Sequence, residues 1–191
     1  MKKEEISNMT KKKLSDALKV QMQKKPFHKI TVRELLELSN VTRPTFYYHF
    51  EDIYDLMQWM FNTELLDLLK RSEDCSTWDE GLLLMLKYIE QNRNICLCAY
   101  NSVGTEVLQR MFRESANALM KKFIDSFLID IPALPEHVEF ISQFYTAALS
   151  STALQWMLSP QNRTPDDMIK LLDITLHGNV EAALRRSAAQ C

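Results

Sequence analysis

The stretch from Thr31 to Phe50, TVRELLELSNVTRPTFYYHF, constrains this chain more than any other. Val32, Leu35 and Leu36 recur at helical spacing, Ser39-Asn40 interrupts the pattern, and Val41, Phe46 and Phe50 supply the next apolar contacts. The spacing predicts two short helices joined by a tight turn, a helix-turn-helix. Thr31 can accept a hydrogen bond from the free amides of the first helix, and Thr42 can do the same for the second. Asn40 stands where the chain must reverse, and Asn is the residue besides Gly that tolerates a left-handed backbone.

The second helix, Arg43 to Phe50, is too short to be stable alone, so its apolar side must dock on a scaffold. Phe46 and Phe50, four apart, can share that side, which turns Arg43, Thr45, Tyr47, Tyr48 and His49 outward or to the rim. Such a set suits a DNA major groove. Arg can take guanine, Thr can meet a thymine methyl, and Tyr and His can bond phosphate oxygens. A merely solvated helix is the weaker alternative, because paired tyrosines beside Arg and His are costly to expose without a partner.

Charge supports a nucleic-acid face. Residues 1–50 hold 11 Lys or Arg against 5 Asp or Glu, whereas residues 51–191 hold 12 against 20. The 191 residues, 46% of them hydrophobic, can bury a sizeable core, and only 3 Gly and 6 Pro argue against a loop-rich or β-sandwich fold. No stretch alternates with period two, so an all-α fold is expected. Catalysis is disfavoured: His28, His49, His137 and His177 form no metal pair and lie beside no plausible nucleophile, and no glycine-rich phosphate loop is present. No cofactor or metal is expected. Cys75, Cys96, Cys98 and Cys191 lack zinc-finger spacing; Cys96 and Cys98 diverge on a helix and read as reduced packing residues, with a thiol sensor as the lesser alternative. No apolar run can cross a membrane, and the Lys-rich start is not followed by a signal-peptide core, so a cytoplasmic location is expected.

Along the chain, Met1 to Met9 reads as frayed, and a first helix from about Thr10 places Leu14, Ala17, Leu18 and Met22 on one face until Pro26 stops the pattern. Asp52 is expected to cap a long helix to about Lys70, one end of which can pack on the DNA-binding unit and the other in the body. Arg71 to Ser76 is a polar break. Thr77 and Glu80 form a capping box for a helix through Ile89, and Asn92-Arg93-Asn94 marks a turn. A short helix from Ile95 should end at Gly104, and Thr105 should start another to about Leu128. The last two long helices are expected over Glu136 to Leu158 and Asp166 to Arg186, the second started by Thr164-Pro165-Asp166-Asp167. Phe140 to Leu158 is apolar on more than one side and carries the small residues Ala147, Ala148, Ser150, Ser151 and Ala153. This hairpin has too much apolar surface for one neighbour, so two copies are expected to form a four-helix bundle across a twofold axis.

The run TVRELLELSNVTRPTFYYHFEDIYDL resembles the N-terminal DNA-binding domain of TetR-type transcriptional regulators, most specifically at Arg43 to Phe50. The resemblance implies a homodimer with an N-terminal three-helix domain, residues 1–52, joined to a larger helical effector-binding and dimerisation domain, residues 53–191. It implies a repressor of a palindromic operator, with DNA contacts from Arg33, Thr42, Arg43, Pro44, Thr45, Tyr47, Tyr48 and His49. Two positions depart from the family: Ile53 stands where Lys often touches phosphate, and Asn40 stands where Gly is usual. The amides near Asp52 and Ile53 are then left to meet that phosphate. Methionines and aromatics gather in the middle of the chain, and family analogy suggests a small-molecule effector pocket among Met57, Met60, Phe61, Met85, Tyr88, Tyr100, Met111, Phe112, Phe144 and Trp156, although a packed core has the same composition. Tyr88, Asn92, Tyr100, Asn101, Gln143 and Gln155 are the polar residues able to orient a ligand there. FYYHFEDIYDL, Trp78 and the Tyr88-to-Arg93 turn are also similar to a subgroup that includes an activator of a dihydroxyacetone kinase operon, which implies the alternative of an activator or interaction module with a protein effector.

Overall fold

The computed structural model describes residues 3–75, 77–102, 105–159 and 163–190. Met1, Lys2, Ser76, Val103, Gly104, the middle of the turn after Ser159 and Cys191 lie outside them. Among the described residues the regular structure is entirely helical: α1 Lys3–Met22, a 3-10 turn Phe27–Lys29, α2 Val32–Ser39, α3 Arg43–His49, α4 Ile53–Glu73, α5 Trp78–Gln91, α6 Arg93–Tyr100, α7 Thr105–Leu128, α8 Pro135–Leu158, α9 Pro165–Leu176 and α10 Asn179–Ala188. Two compact units result, one of Met1–Leu65 with Asn92–Leu108 and one of Leu66–Gln91 with Gln109–Cys191.

In the first unit α1 packs on α2 and α6. Leu14, Leu18, Leu35, Phe46, Leu56, Met57 and Phe61 are fully buried, each contributing about 1.5–3 kcal/mol of transfer free energy. The helix α1 begins at Lys3 rather than near Thr10. Glu4 and Glu5 lie in its first turn, where they meet the positive end of the helix dipole, and the Thr10 hydroxyl bonds the Ile6 carbonyl at 3.0 Å. Local helix chemistry thus extends a segment whose polarity suggested fraying. Lys19 of α1 and Glu64 of α4 form an ion pair, with side chains 27% and 17% exposed. Cys96 is fully buried, and burial pushes its thiol up to about 12. The Cys98 thiol, also raised by burial, donates to the Lys25 carbonyl at 3.6 Å. Both are packing residues, as expected.

The second unit joins α5 to α8 and α9, and α10 to α8 and α9. Its core includes Leu82, Leu86, Phe112, Met120, Met157 and Leu184. Gly81 allows α5 to meet α7, because a Cβ there would lie 2.5 Å from Leu119 Cδ2. Lys122 of α7 donates to the carbonyls of Ser72, at 3.1 Å, and Cys75, so it satisfies groups at the end of α4. At the start of α5 the Thr77 amide donates to the Glu80 carboxylate at 3.4 Å, one arm of the expected box. The turn before α6 is shorter than expected, since Arg93 and Asn94 already belong to that helix.

The segment expected as one helix from Asp166 to Arg186 is two. α9 ends at Leu176, His177 is extended, and Gly178 has φ +76° before α10 starts at Asn179. The apolar spacing runs on through this point because both helices bury the same kind of face: Met168 and Leu176 in α9, Val180 and Leu184 in α10. Glycine supplies a conformation that a side chain would strain. The start of α9 is as expected, with Thr164 and Asp167 forming a complete capping box around Pro165.

Candidate nucleic-acid interface

The interface is assembled from α2 and α3, each set by its own caps. Thr31 accepts from the Glu34 amide while the Glu34 carboxylate takes the Thr31 amide, closing a capping box. Lys25 grips both oxygens of that carboxylate at 2.6 Å. The Lys25 ammonium, and then Thr31, hold the Glu34 carboxyl down at about 2. This support is present above the ordinary Glu range and is lost as pH falls through about 2. Asn40 ends α2 in the left-handed conformation, φ 52° and ψ 42°. The turn therefore has the geometry that its sequence required.

The helix α3 docks through Phe46 and Phe50, both buried, whose ring centres lie 6.0 Å apart. Trp59 meets Phe50 at 5.9 Å from α4, and the ammonium of Lys11 lies 6.0 Å from the Phe50 ring and 5.8 Å from the Trp59 ring. These contacts fix the roll of a seven-residue helix about its axis. Arg43, Pro44, Tyr47 and Tyr48 are consequently exposed, Tyr48 by 74%, while Thr45 and His49 occupy the rim. The Arg43 guanidinium lies 5.6 Å from the Tyr47 ring centre, a stack that holds it extended along the exposed face. His49 sits against Tyr48 at 4.9 Å and Phe50 at 6.3 Å. Burial first, and the Lys11 charge second, lower its pKa.

Three expectations about this surface change in detail. Thr42 stands at the N-cap of α3 but makes no side-chain cap, because its hydroxyl shares a 2.8 Å hydrogen bond with that of Thr45. Arg33, at the start of α2, is exposed yet paired through Nε with Glu37 at 2.8 Å, which raises its pKa. At the start of α4, Asp52 caps the Asp55 amide at 2.8 Å as expected, and Asp55 in turn accepts the Glu51 amide at 3.1 Å. Ile53 beside them is half-buried. Lys11, unremarkable on a lysine-rich helix, was not legible as a support of α3; its one local signal is its place a turn ahead of buried Leu14 and Ser15.

The residues expected to line an effector pocket divide between the units. Met57, Met60, Phe61 and Tyr100 belong to the first, and Met85, Tyr88, Met111, Phe112, Phe144 and Trp156 to the second. Met57, Met60, Phe61, Met85, Met111 and Phe112 are buried packing residues, whereas Phe144 is 60% exposed. Met85 borders a void of only about 10 Å³ with Leu68, Leu119 and others, and Trp156 borders a surface groove of about 400 Å³ and donates its Nε1 to the Arg163 carbonyl at 3.1 Å. Of the polar candidates, Gln143 lines two grooves between α7 and α8.

A further surface lies on the second unit. Phe140, Phe144, Ala147, Ala148, Ser151 and Gln155 form an exposed stripe along α8 that carries no charge, and α9 exposes Leu171 and Ile174. No helix among the described residues is long and apolar enough to cross a membrane.

Residues 14–59 match the family pattern described as bacterial regulatory proteins, tetR family, and residues 76–178 match one described as a transcriptional regulator C-terminal region. The HTH-type dhaKLM operon transcriptional activator DhaS of Lactococcus lactis is 32% identical over 87 residues, 46% of this chain and 46% of that protein. The chain thus matches about half the length of that curated relative. Among solved structures, a dihydroxyacetone kinase operon activator DhaS superposes with a TM-score of 0.78 at 21% identity, covering 91% of this chain and 97% of that one. A TetR transcriptional regulator from Streptococcus agalactiae superposes with a TM-score of 0.61 at 23% identity over the same shares. These likenesses establish the fold.

Proposed function

The chain belongs to the TetR family of bacterial regulatory proteins, transcription regulators rather than enzymes, and from that membership we propose a homodimer that reads a palindromic operator through α3. In this reading residues 1–52 are the DNA-binding domain, α4 connects it onward, and residues 53–191 carry dimerisation and effector control in the cytoplasm. The observation that carries it is the face of α3: Arg43, Pro44, Tyr47 and Tyr48 stand exposed on a helix held by Phe46 and Phe50. Arg43 and Thr45 read base edges, and Thr42, Tyr47, Tyr48 and His49 position the phosphates, with Arg33 joining them on release from Glu37. Twofold symmetry sets the two α3 helices about 34–36 Å apart, or a whole number of helical turns more.

Repression by operator occupancy is the first reading of the sign, with a small-molecule effector. Activation is the second, favoured by one specific observation: the curated relative and the solved structure named DhaS are both described as operon activators. Selection from a random duplex pool at physiological salt tests the common core, since low salt would reward any basic surface. Enrichment of a palindrome is expected; weak, sequence-blind retention would sink the proposal. A reporter driven by the enriched site then separates repression from activation.

A pH dependence follows from His49. Its pKa lies below the ordinary value in the free protein, and an approaching phosphate oxygen favours the charged ring, so the complex binds more protons than its parts. Affinity is expected to rise as pH falls from about 7.5 to 5.5, by about tenfold at most for a shift of about one unit. Folding responds oppositely, because the unfolded chain takes up this proton more readily, so the titration must stay where the protein is folded. His49→Gln should flatten the slope in fluorescence-anisotropy titrations; an unchanged slope would remove His49 from the phosphate contacts.

A further inference from the structure

The helices α7 and α8 run antiparallel in the second unit, joined by the loop around Ile131, and two grooves lie between them. One, of about 600 Å³, has an apolar floor of Ile124, Leu128, Ile131 and Val138. The other, of about 360 Å³, is bordered by Arg113, Glu114, Asn117, Gln143, Thr146 and Ala147. Asn117 and Gln143 border both, so the two form one channel, polar at its smaller end and with the apolar floor at its larger end, where Lys121, Asp125 and Glu139 stand along the rim. The combined size is in the range that takes a small organic molecule.

Thr146 distinguishes this channel from an ordinary interhelical crease. Its residue is 6% exposed, and its hydroxyl is the one buried side-chain oxygen or nitrogen among the described residues without a hydrogen-bond partner. Buried polar groups are normally satisfied, and an exception at the wall of a groove points to a ligand atom as the missing partner. Arg113 and Asn117, one turn apart on α7, line the same groove as Thr146, Lys121 a turn further on lines the larger one, and none of the three makes a side-chain hydrogen bond or ion pair among the described residues.

We infer that this α7–α8 channel binds a small amphiphilic carboxylate, its head taken by Arg113, Asn117 and Thr146 and its hydrocarbon tail laid over Ile124, Leu128, Ile131 and Val138. The acidic residues agree with that direction. Glu114 is drawn toward Arg110 at 4.0 Å, and Glu139 accepts from the Gln143 amide at 3.1 Å. Asp125, one turn beyond Lys121, and Glu139 both border the larger groove with that one cation, so the two acids together disfavour a carboxylate at that end. The consequence for DNA rests on the reading of residues 53–191 as the effector-controlled part; the binding itself rests on the channel alone.

The test is calorimetric titration of the full-length protein with decanoate, and with decanol as the uncharged control. Saturable binding of one decanoate per chain is expected, weaker by about tenfold in Arg113→Ala and by about threefold in Thr146→Val, and abolished by Val138→Trp. Thr146→Val should fold with an unchanged or higher thermal midpoint, since it removes an unsatisfied hydroxyl without changing shape, and this separates lost binding from lost structure. No saturable decanoate binding, or binding indifferent to all three substitutions, overturns the site; decanol binding as tightly as decanoate overturns the carboxylate head. Operator titrations with and without decanoate address the other reading: decanoate bound in the channel without altered operator affinity leaves the site standing and removes its link to regulation.

Discussion

In the homodimer proposed above, replacing Phe144 and Ile174 together by Asp is expected to give a monomer and to weaken operator binding by about 10²–10⁴. The argument begins from exposure. Phe144 is 60% and Ile174 76% accessible, and Phe144 lies within a stripe on α8 that runs uncharged from Phe140 to Gln155. Burying each such side chain against a partner contributes about 1.5–3 kcal/mol, and a twofold axis uses every one of them twice. Ala147, Ala148 and Ser151 on the same face allow close helix approach. Four carboxylates at the centre of such an interface would lose their hydration and repel one another. The loss of DNA affinity follows from linkage: a second α3 held on the same molecule acts at an effective concentration near millimolar, which a monomer forfeits. Both positions are exposed in the single chain, so the fold should survive, and circular dichroism would verify this. Sedimentation equilibrium and electrophoretic shift are the measurements. A double variant that remains dimeric would place the twofold interface elsewhere; a monomer that keeps wild-type affinity would show that operator binding does not need the pair.

The parts of this molecule that were legible in its sequence are those whose signals are local. The capping threonines Thr31 and Thr164, left-handed Asn40 and the apolar pair Phe46 and Phe50 each act within one turn of chain, and each takes the expected conformation or burial. The break at Gly178 is not legible, because apolar periodicity continues across it and a lone glycine near the end of a helical pattern has no period of its own. The run from Lys3 to Met9 is helical although its polarity suggests fraying, because the acids of its first turn and the Thr10 bond to Ile6 are local helix chemistry that polarity alone does not reveal. Contacts made over long separations left no trace: Lys19 with Glu64, Lys122 with the end of α4, and Gly81 against Leu119 depend on which helices become neighbours. The candidate effector pocket shows the same limit. Methionine and aromatic content is common to a packed core and to a cavity, and composition could not distinguish buried Met57 and Phe112 from exposed Phe144.

Arg43→Ala is expected to lower affinity for the selected operator by about 1–3 kcal/mol and, more tellingly, to broaden the sequences accepted. Two features single out this residue. It stands in the first turn of α3, the end at which helix-turn-helix proteins address base edges. Its guanidinium is also held 5.6 Å from the Tyr47 ring centre, so part of the entropy of ordering a long side chain is already spent before DNA arrives. Arg43→Lys keeps the charge but not the planar fork, and should lose preference for its base nearly as fully as Ala while retaining more of the total affinity. Tyr47→Ala separates the two contributions, because it removes the stack and a phosphate partner together; binding should weaken on all sequences while the preferred base persists. Because Arg43 and Tyr47 are exposed, neither change should touch the docking of Phe46 and Phe50 that sets the helix in place. Repeating the pool selection with each variant decides the matter: an unchanged preferred sequence with Arg43→Ala would reassign base reading to Thr45 or its neighbours and leave Arg43 as a phosphate contact.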